Sequence, residues 1–109
     1  MDLVDLVYNL AERFPDRERF GMWSQITRAA TSVPSNIAEG HARSTRKDFA
    51  HFVSNARASL MEIDTQLAIA ERRAYVTEGQ ALDAYARIEE ISKMLVSLHR
   101  KLAPRREAE

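Results

Sequence analysis

Between Leu82 and Leu102 seven apolar side chains, Leu82, Tyr85, Ile88, Ile91, Leu95, Leu98 and Leu102, recur at steps of three and four residues. That spacing lines them along one side of an α-helix and conflicts with the two-residue alternation of a strand. A helix with one greasy side must bury it against another element, so the pattern points to helix-on-helix packing. Thr77 with Gln80 has the spacing of a capping box at the start of this segment, and Pro104 ends it. The 109 residues contain only three Gly and three Pro, which favours long helices over a turn-rich β fold.

The upstream segments follow the same rule. Leu3, Leu6, Val7, Leu10 and Phe14 predict a first helix over residues 2–14, stopped because Pro15 pushes the residue before it out of the α region. Asp16 is the expected N-cap of a second helix with the face Trp23, Ile26, Ala30, Val33 and Ile37, ending near Gly40 in a left-handed C′ position. Pro34 lies inside that helix, removes the hydrogen bond to the Ala30 carbonyl, and should bend the helix or split it. Ser44 or Thr45 caps a third helix, with Asp48 in capping-box position after Thr45, and its stripe is Phe49, Phe52, Ala56, Leu60, Ile63, Leu67 and Ala70, reaching about Arg73. Residues 1–103 thus form one all-α domain, an antiparallel up-down-up-down four-helix bundle with a short first helix and a Pro-kinked second. Residues 104–109 read as a disordered tail.

The helices are unequal. At 1.5 Å per residue the first spans about 20 Å and the third about 40 Å, so part of the core groove lacks a fourth wall. A neighbouring subunit covers it, or the natural chain starts further upstream; an uncovered apolar groove marks an association surface.

Sixteen basic and sixteen acidic side chains cancel, so whole-molecule attraction to nucleic acid or anionic lipid is not expected, although a local patch can supply it. The absence of Cys removes disulfides, thiolate metal sites and thiol nucleophiles, and suits a reducing compartment. Met1-Asp2-Leu3-Val4-Asp5 carries acids where a secretory signal carries bases, and no apolar run approaches membrane-spanning length. A cytoplasmic protein without membrane contact is expected.

Catalytic and metal chemistry find no scaffold here. Asp48-Phe-Ala-His51 is the one approach to the Glu-x-x-His pairs of di-metal bundles, and a capping acid beside a solvated His accounts for it. His41 and His99 lack the i, i+4 spacing that puts two imidazoles on one metal, and no nucleophile elbow, Walker loop or dinucleotide fingerprint occurs. No enzyme activity, cofactor, metal or small-molecule substrate is expected.

The second helix carries an unusual polar face. At about 100° per residue Gly21, Gln25, Arg28, Ser32, Asn36, Glu39 and Arg43 fall within roughly one quadrant, away from the apolar side. On the third helix Asp48, Asn55, Ser59, Glu62, Gln66 and Arg73 share a stripe bordering the apolar seam. A solvated face is more often built of Lys and Glu at i, i+4, since Ser and Asn are poor helix formers. The stripes therefore either meet something or are plain solvent faces.

Residues 28–43, Arg-Ala-Ala-Thr-Ser-Val-Pro-Ser-Asn-Ile-Ala-Glu-Gly-His-Ala-Arg, resemble the signature Arg-Ala-x-x-Ser-x-Pro-x-Asn-Ile-Ala-Glu-Gly-x-x-Arg of the bacterial four-helix-bundle proteins named for 23S rRNA intervening sequences. The similarity extends to Phe14-Pro15, Phe20-Gly21 with Gln25, Asp48-Phe49 with Phe52, Ala56 with Ser59 and Glu62, and the Met94-Leu95 region, covering nearly the whole chain. It implies a four-helix subunit that assembles into a ring, often a pentamer, encoded in some bacteria within insertions of the large ribosomal RNA gene. The fold also resembles the accessory protein of diversity-generating retroelements, which binds a reverse transcriptase and nucleic acid. Arg28, Ser32, Pro34, Asn36, Glu39, Gly40, Arg43 and Glu62 occupy the signature positions. The chain departs from the pattern in a shortened first helix, in Ala58 where Gly is common, and in Ala74 where a Gly before Tyr75 would end the third helix.

Two functional classes follow. One is a ring-forming, RNA-associated accessory or scaffold protein, with His41, Arg43, Arg46, Lys47, His51 and Arg57, around the turn between the second and third helices, as the candidate nucleic-acid contacts. Against this, Arg43 and Arg46 can simply pair with Glu39 and Asp48 in a solvated turn. The other is a protein-binding module that docks a partner, or another copy, through the polar stripe and the open groove. Arg28 and Glu62 are candidates for a polar contact between the second and third helices.

Overall fold

The computed structural model describes residues 2–102, and over these the chain forms α1 (Asp2–Ala11), a short 3-10 turn (Asp16–Glu18), α2 (Met22–His41), α3 (Arg46–Arg72) and α4 (Glu78–Leu102). Contacts run from α1 to α2, α2 to α3, α3 to α4 and α4 back to α1, with none across either diagonal among the described residues. That closed square is a four-helix bundle, 52 × 22 × 22 Å overall. The expected tail, 104–109, lies outside the described residues.

The core is one continuous stack. Leu3, Val7, Leu10 and Ala11 of α1 meet Ile26, Ala29, Ala30 and Val33 of α2, Val53 to Ala70 of α3, and Ala81, Ala84, Ile88 and Leu95 of α4. Several expected core positions lie elsewhere. Leu82 is 61% exposed, because the α4 seam starts from Ala81 and Ala84, whose small side chains let α3 approach. Phe49 and Phe52 are half-buried, and Ala50 and Val53 take the inner positions of α3.

The helix ends show why the expected boundaries shift. α1 stops at Ala11 rather than residue 14: Arg13 and Phe14 donate to the carbonyls of Leu10 and Ala11, three residues back, which tightens the chain and turns the Phe14 ring into the core beside Tyr75. Asp16 opens the 3-10 turn instead of capping α2. The N-cap of α2 is Gly21, and its missing side-chain acceptor is replaced by Glu18, whose Oε1 accepts the Met22 N–H at 3.2 Å. A Cβ on Gly21 would stand 2.8 Å from that oxygen, so glycine lets the carboxylate in.

Pro34 does not split α2, which is helical from Met22 to His41. Gly40 is not a left-handed cap either: the helix passes through it, ends at Ala42 with φ −80°, and no described glycine has positive φ. Gly40 is buried because a Cβ there would lie 2.8 Å from Phe52 Cβ and 2.9 Å from Phe49 Cδ1; glycine lets α3 cross close to α2. Thr45 caps α3 by accepting the Asp48 N–H at 3.1 Å. Thr77 and Gln80 form a reciprocal box at α4, at 2.9 and 3.0 Å. α3 ends in a Schellman arrangement, Tyr75 N–H donating to the Ala70 carbonyl and Ala74 N–H to that of Glu71, with Ala74 at φ 62° where glycine is the unstrained choice.

Candidate functional site

The polar stripes of α2 and α3 face one another. Gln66, 8% exposed, donates from Nε2 to Gln25 Oε1 at 2.7 Å, and the Ser32 hydroxyl donates to that of Ser59. The unusual residue types thus have an internal use: short polar side chains join two closely packed helices where Lys or Glu would hold them apart. Asn36 adds a bond from Nδ2 to the Ser32 carbonyl at 2.8 Å, on the stretch where Pro34 interrupts the backbone ladder.

The rest of the stripe behaves differently. Arg28 is exposed and donates to Ser24 Oγ on its own helix at 3.3 Å. Glu62 is also exposed, and no ion pair joins it to Arg28 among the described residues, so the expected contact between these two does not form. Arg43 pairs with Glu39 at 3.0 Å one turn back, with the guanidinium 4.8 Å from the Phe52 ring centroid. Of the signature residues, Ser32, Asn36 and Gly40 serve helix packing, and Arg28, Glu39, Arg43 and Glu62 remain at the surface.

Pro34 belongs to a third setting. With Ile37, Ala38 and His41 it lines a recess of about 480 Å³ on α2. The recess continues the face that α1 covers higher up, where Tyr8 meets Trp23 edge to face at 6.2 Å. α1 spans about 15 Å against about 40 Å for α3, and Ala38 and His41 are exposed on the α2 stretch beyond Trp23. On α4 Ile91, Leu98 and Leu102 are half-buried and Met94 is 64% exposed.

The candidate nucleic-acid residues are only partly brought together. His41 ends α2, Arg43 lies in the turn after it, and Arg46, Lys47 and His51 are in the first turns of α3; the imidazoles of His41 and His51 pack edge-on against Phe49 and Phe52, each at 5.8 Å. Arg46 does not pair with Asp48: its guanidinium donates to the Lys101 carbonyl in the last turn of α4. Arg57 lies further along α3, half-buried beside Ser54, Ala58, Met61 and Ser92. The Arg46 bond brings in three residues that sequence reasoning missed, His99, Arg100 and Lys101, all in the last turn of α4. Their signal was present as a run of cations at a helix C-terminus, where they also offset the helix dipole.

The opposite end holds a knot that the sequence did not reveal. The Glu18 carboxylate accepts the Met22 N–H and, at 2.9 Å, the Tyr75 hydroxyl, and these two bonds hold its pKa below the usual glutamate value. Beside it Phe20 is 96% exposed. Burial, together with a hydrogen bond to Glu71, pushes the Tyr85 phenol well above its ordinary pKa, so it stays a neutral donor bracing α4 to α3. Among the described residues no group of His, Asp or Glu is arranged to hold a metal ion, and no helix is long and apolar enough to cross a membrane.

No curated protein matches the chain. Residues 1–97, however, match the family described as 23S rRNA-intervening sequence protein. That span takes in the Arg28 to Arg43 signature, the short polar contacts that join α2 to α3, and all but the last turn of α4, and the chain belongs to the family of 23S rRNA-intervening sequence proteins.

Proposed function

We propose that the chain is a non-enzymatic scaffold subunit that assembles with copies of itself, as a pentameric ring on the family resemblance, and associates with RNA in the cytoplasm. The observation that carries assembly is the apolar surface of the Pro34–His41 recess on α2, with the exposed Met94 and the half-buried Leu98 and Leu102 on α4. A contiguous apolar strip of this kind costs free energy in water, and a second subunit laid along it removes the cost. Sedimentation velocity on the double variant Ile37→Glu/Met94→Glu tests this. A charge on each wall of the strip should convert the assembly into folded monomers, and an unchanged sedimentation coefficient would place the subunit contact elsewhere.

RNA association is supported by the basic side chains at the turn between α2 and α3. The alternative, a protein-binding module without nucleic acid, draws on a different observation, the bare Phe20 ring at the far end of the bundle. A gel shift at low salt separates the two, because a protein module leaves the RNA unshifted.

A further inference from the structure

The chain is neutral overall but not evenly so. Residues 39–51 and 99–101, which the Arg46 to Lys101 bond places at one end of the bundle, hold five Lys and Arg side chains against two carboxylates, Glu39 and Asp48. All three histidines of the protein, His41, His51 and His99, are there as well. α2 contributes Glu39 and His41, the turn after it Arg43, α3 contributes Arg46, Lys47, Asp48 and His51, and α4 contributes His99, Arg100 and Lys101. Arg43 is paired with Glu39 and Arg46 is held by a carbonyl, so Lys47, Arg100 and Lys101 supply the outward charge.

Building on the RNA reading, we propose that these three helix ends form one cationic surface for an RNA phosphate backbone, with Lys47 of α3 and Arg100 and Lys101 of α4 as its phosphate contacts. Phosphate neutralisation gives affinity without base reading, and on single-stranded RNA each neutralised phosphate adds about 0.7 to the slope of log affinity against log salt. A lipid surface is the poorer fit, because membrane-binding faces insert apolar side chains. Of the large exposed hydrophobic residues, Tyr8, Phe20, Met61, Ile69 and Leu82 lie away from this end, and Met94 stands about 9 Å down α4 from Arg100.

Fluorescence anisotropy with a labelled 20-mer of poly(U) tests the proposal on the full chain. Binding should weaken about tenfold or more when the salt is raised from 50 to 200 mM. Lys47→Glu/Arg100→Glu should weaken binding at low salt and flatten the salt dependence, with its helical circular dichroism unchanged. If the wild type does not bind even at low salt, the RNA reading itself falls. If it binds and the variant binds equally well, RNA association stands and this surface is wrong. Capture by phosphatidylserine vesicles in place of poly(U) would overturn the choice of RNA.

Discussion

Single positions in this bundle follow from close approach and backbone conformation more than from side-chain chemistry. Ala74 holds a left-handed conformation at φ 62°, which costs a non-glycine residue about 1 kcal/mol. Ala74→Gly should therefore stabilise the fold by about 1 kcal/mol, less the entropy that glycine adds to the unfolded chain, and urea unfolding should show a higher midpoint with unchanged slope. Gly40→Ala should do the reverse. Its new methyl meets the Cβ of Phe52, which cannot swing away, and overpacking of this kind costs about 1–3 kcal/mol. Glu18 has a pKa lowered by the folded state, so it stabilises the fold above the ordinary glutamate value, and that stabilisation is lost as the pH falls through the depressed one. Replacing it with Gln should flatten the fall in stability between pH 5 and 3, seen as a smaller shift in melting temperature across that range.

The joining of α2 to α3 is the feature that gives the elements their particular arrangement. Removing Gln25 leaves the buried Gln66 amide without a partner, which costs about 1–3 kcal/mol, whereas Gln25→Ala combined with Gln66→Leu removes the polar group altogether. A thermodynamic cycle should thus show the double variant more stable than the sum of the single losses, and additive losses would mean that the pair does not act together. Much of this level could be read from the sequence. The seams of α3 and α4, the Thr45 cap and the Thr77 box depend on local spacing, which periodicity captures. Placement across helices was harder to see: whether Ser32 meets Ser59 or solvent depends on the rotation of two helices about their axes, and a helical wheel fixes neither. Gly40 looked like a cap because glycine has two uses, and only the position of Phe49 and Phe52 decides between them. Arg28 and Glu62 were paired by charge alone, but the long Arg28 side chain finds Ser24 on its own helix.

At the scale of the molecule the placing of apolar and basic side chains counts for more than the balanced composition. The apolar strip proposed for assembly, the Pro34–His41 recess with Met94, Leu98 and Leu102, lies in the same half of the bundle as the basic Lys47, Arg100 and Lys101. Charge neutrality read from composition concealed that polarity, because the compensating acids lie elsewhere along the chain. The claim on which the rest depends is that this strip is an interface between copies. Static light scattering of the purified protein across a hundredfold range of concentration tests it most directly. The account predicts a mass several times the 12.4 kDa of one chain, five times if the ring of the family resemblance is adopted. A mass of 12.4 kDa at every concentration would contradict it.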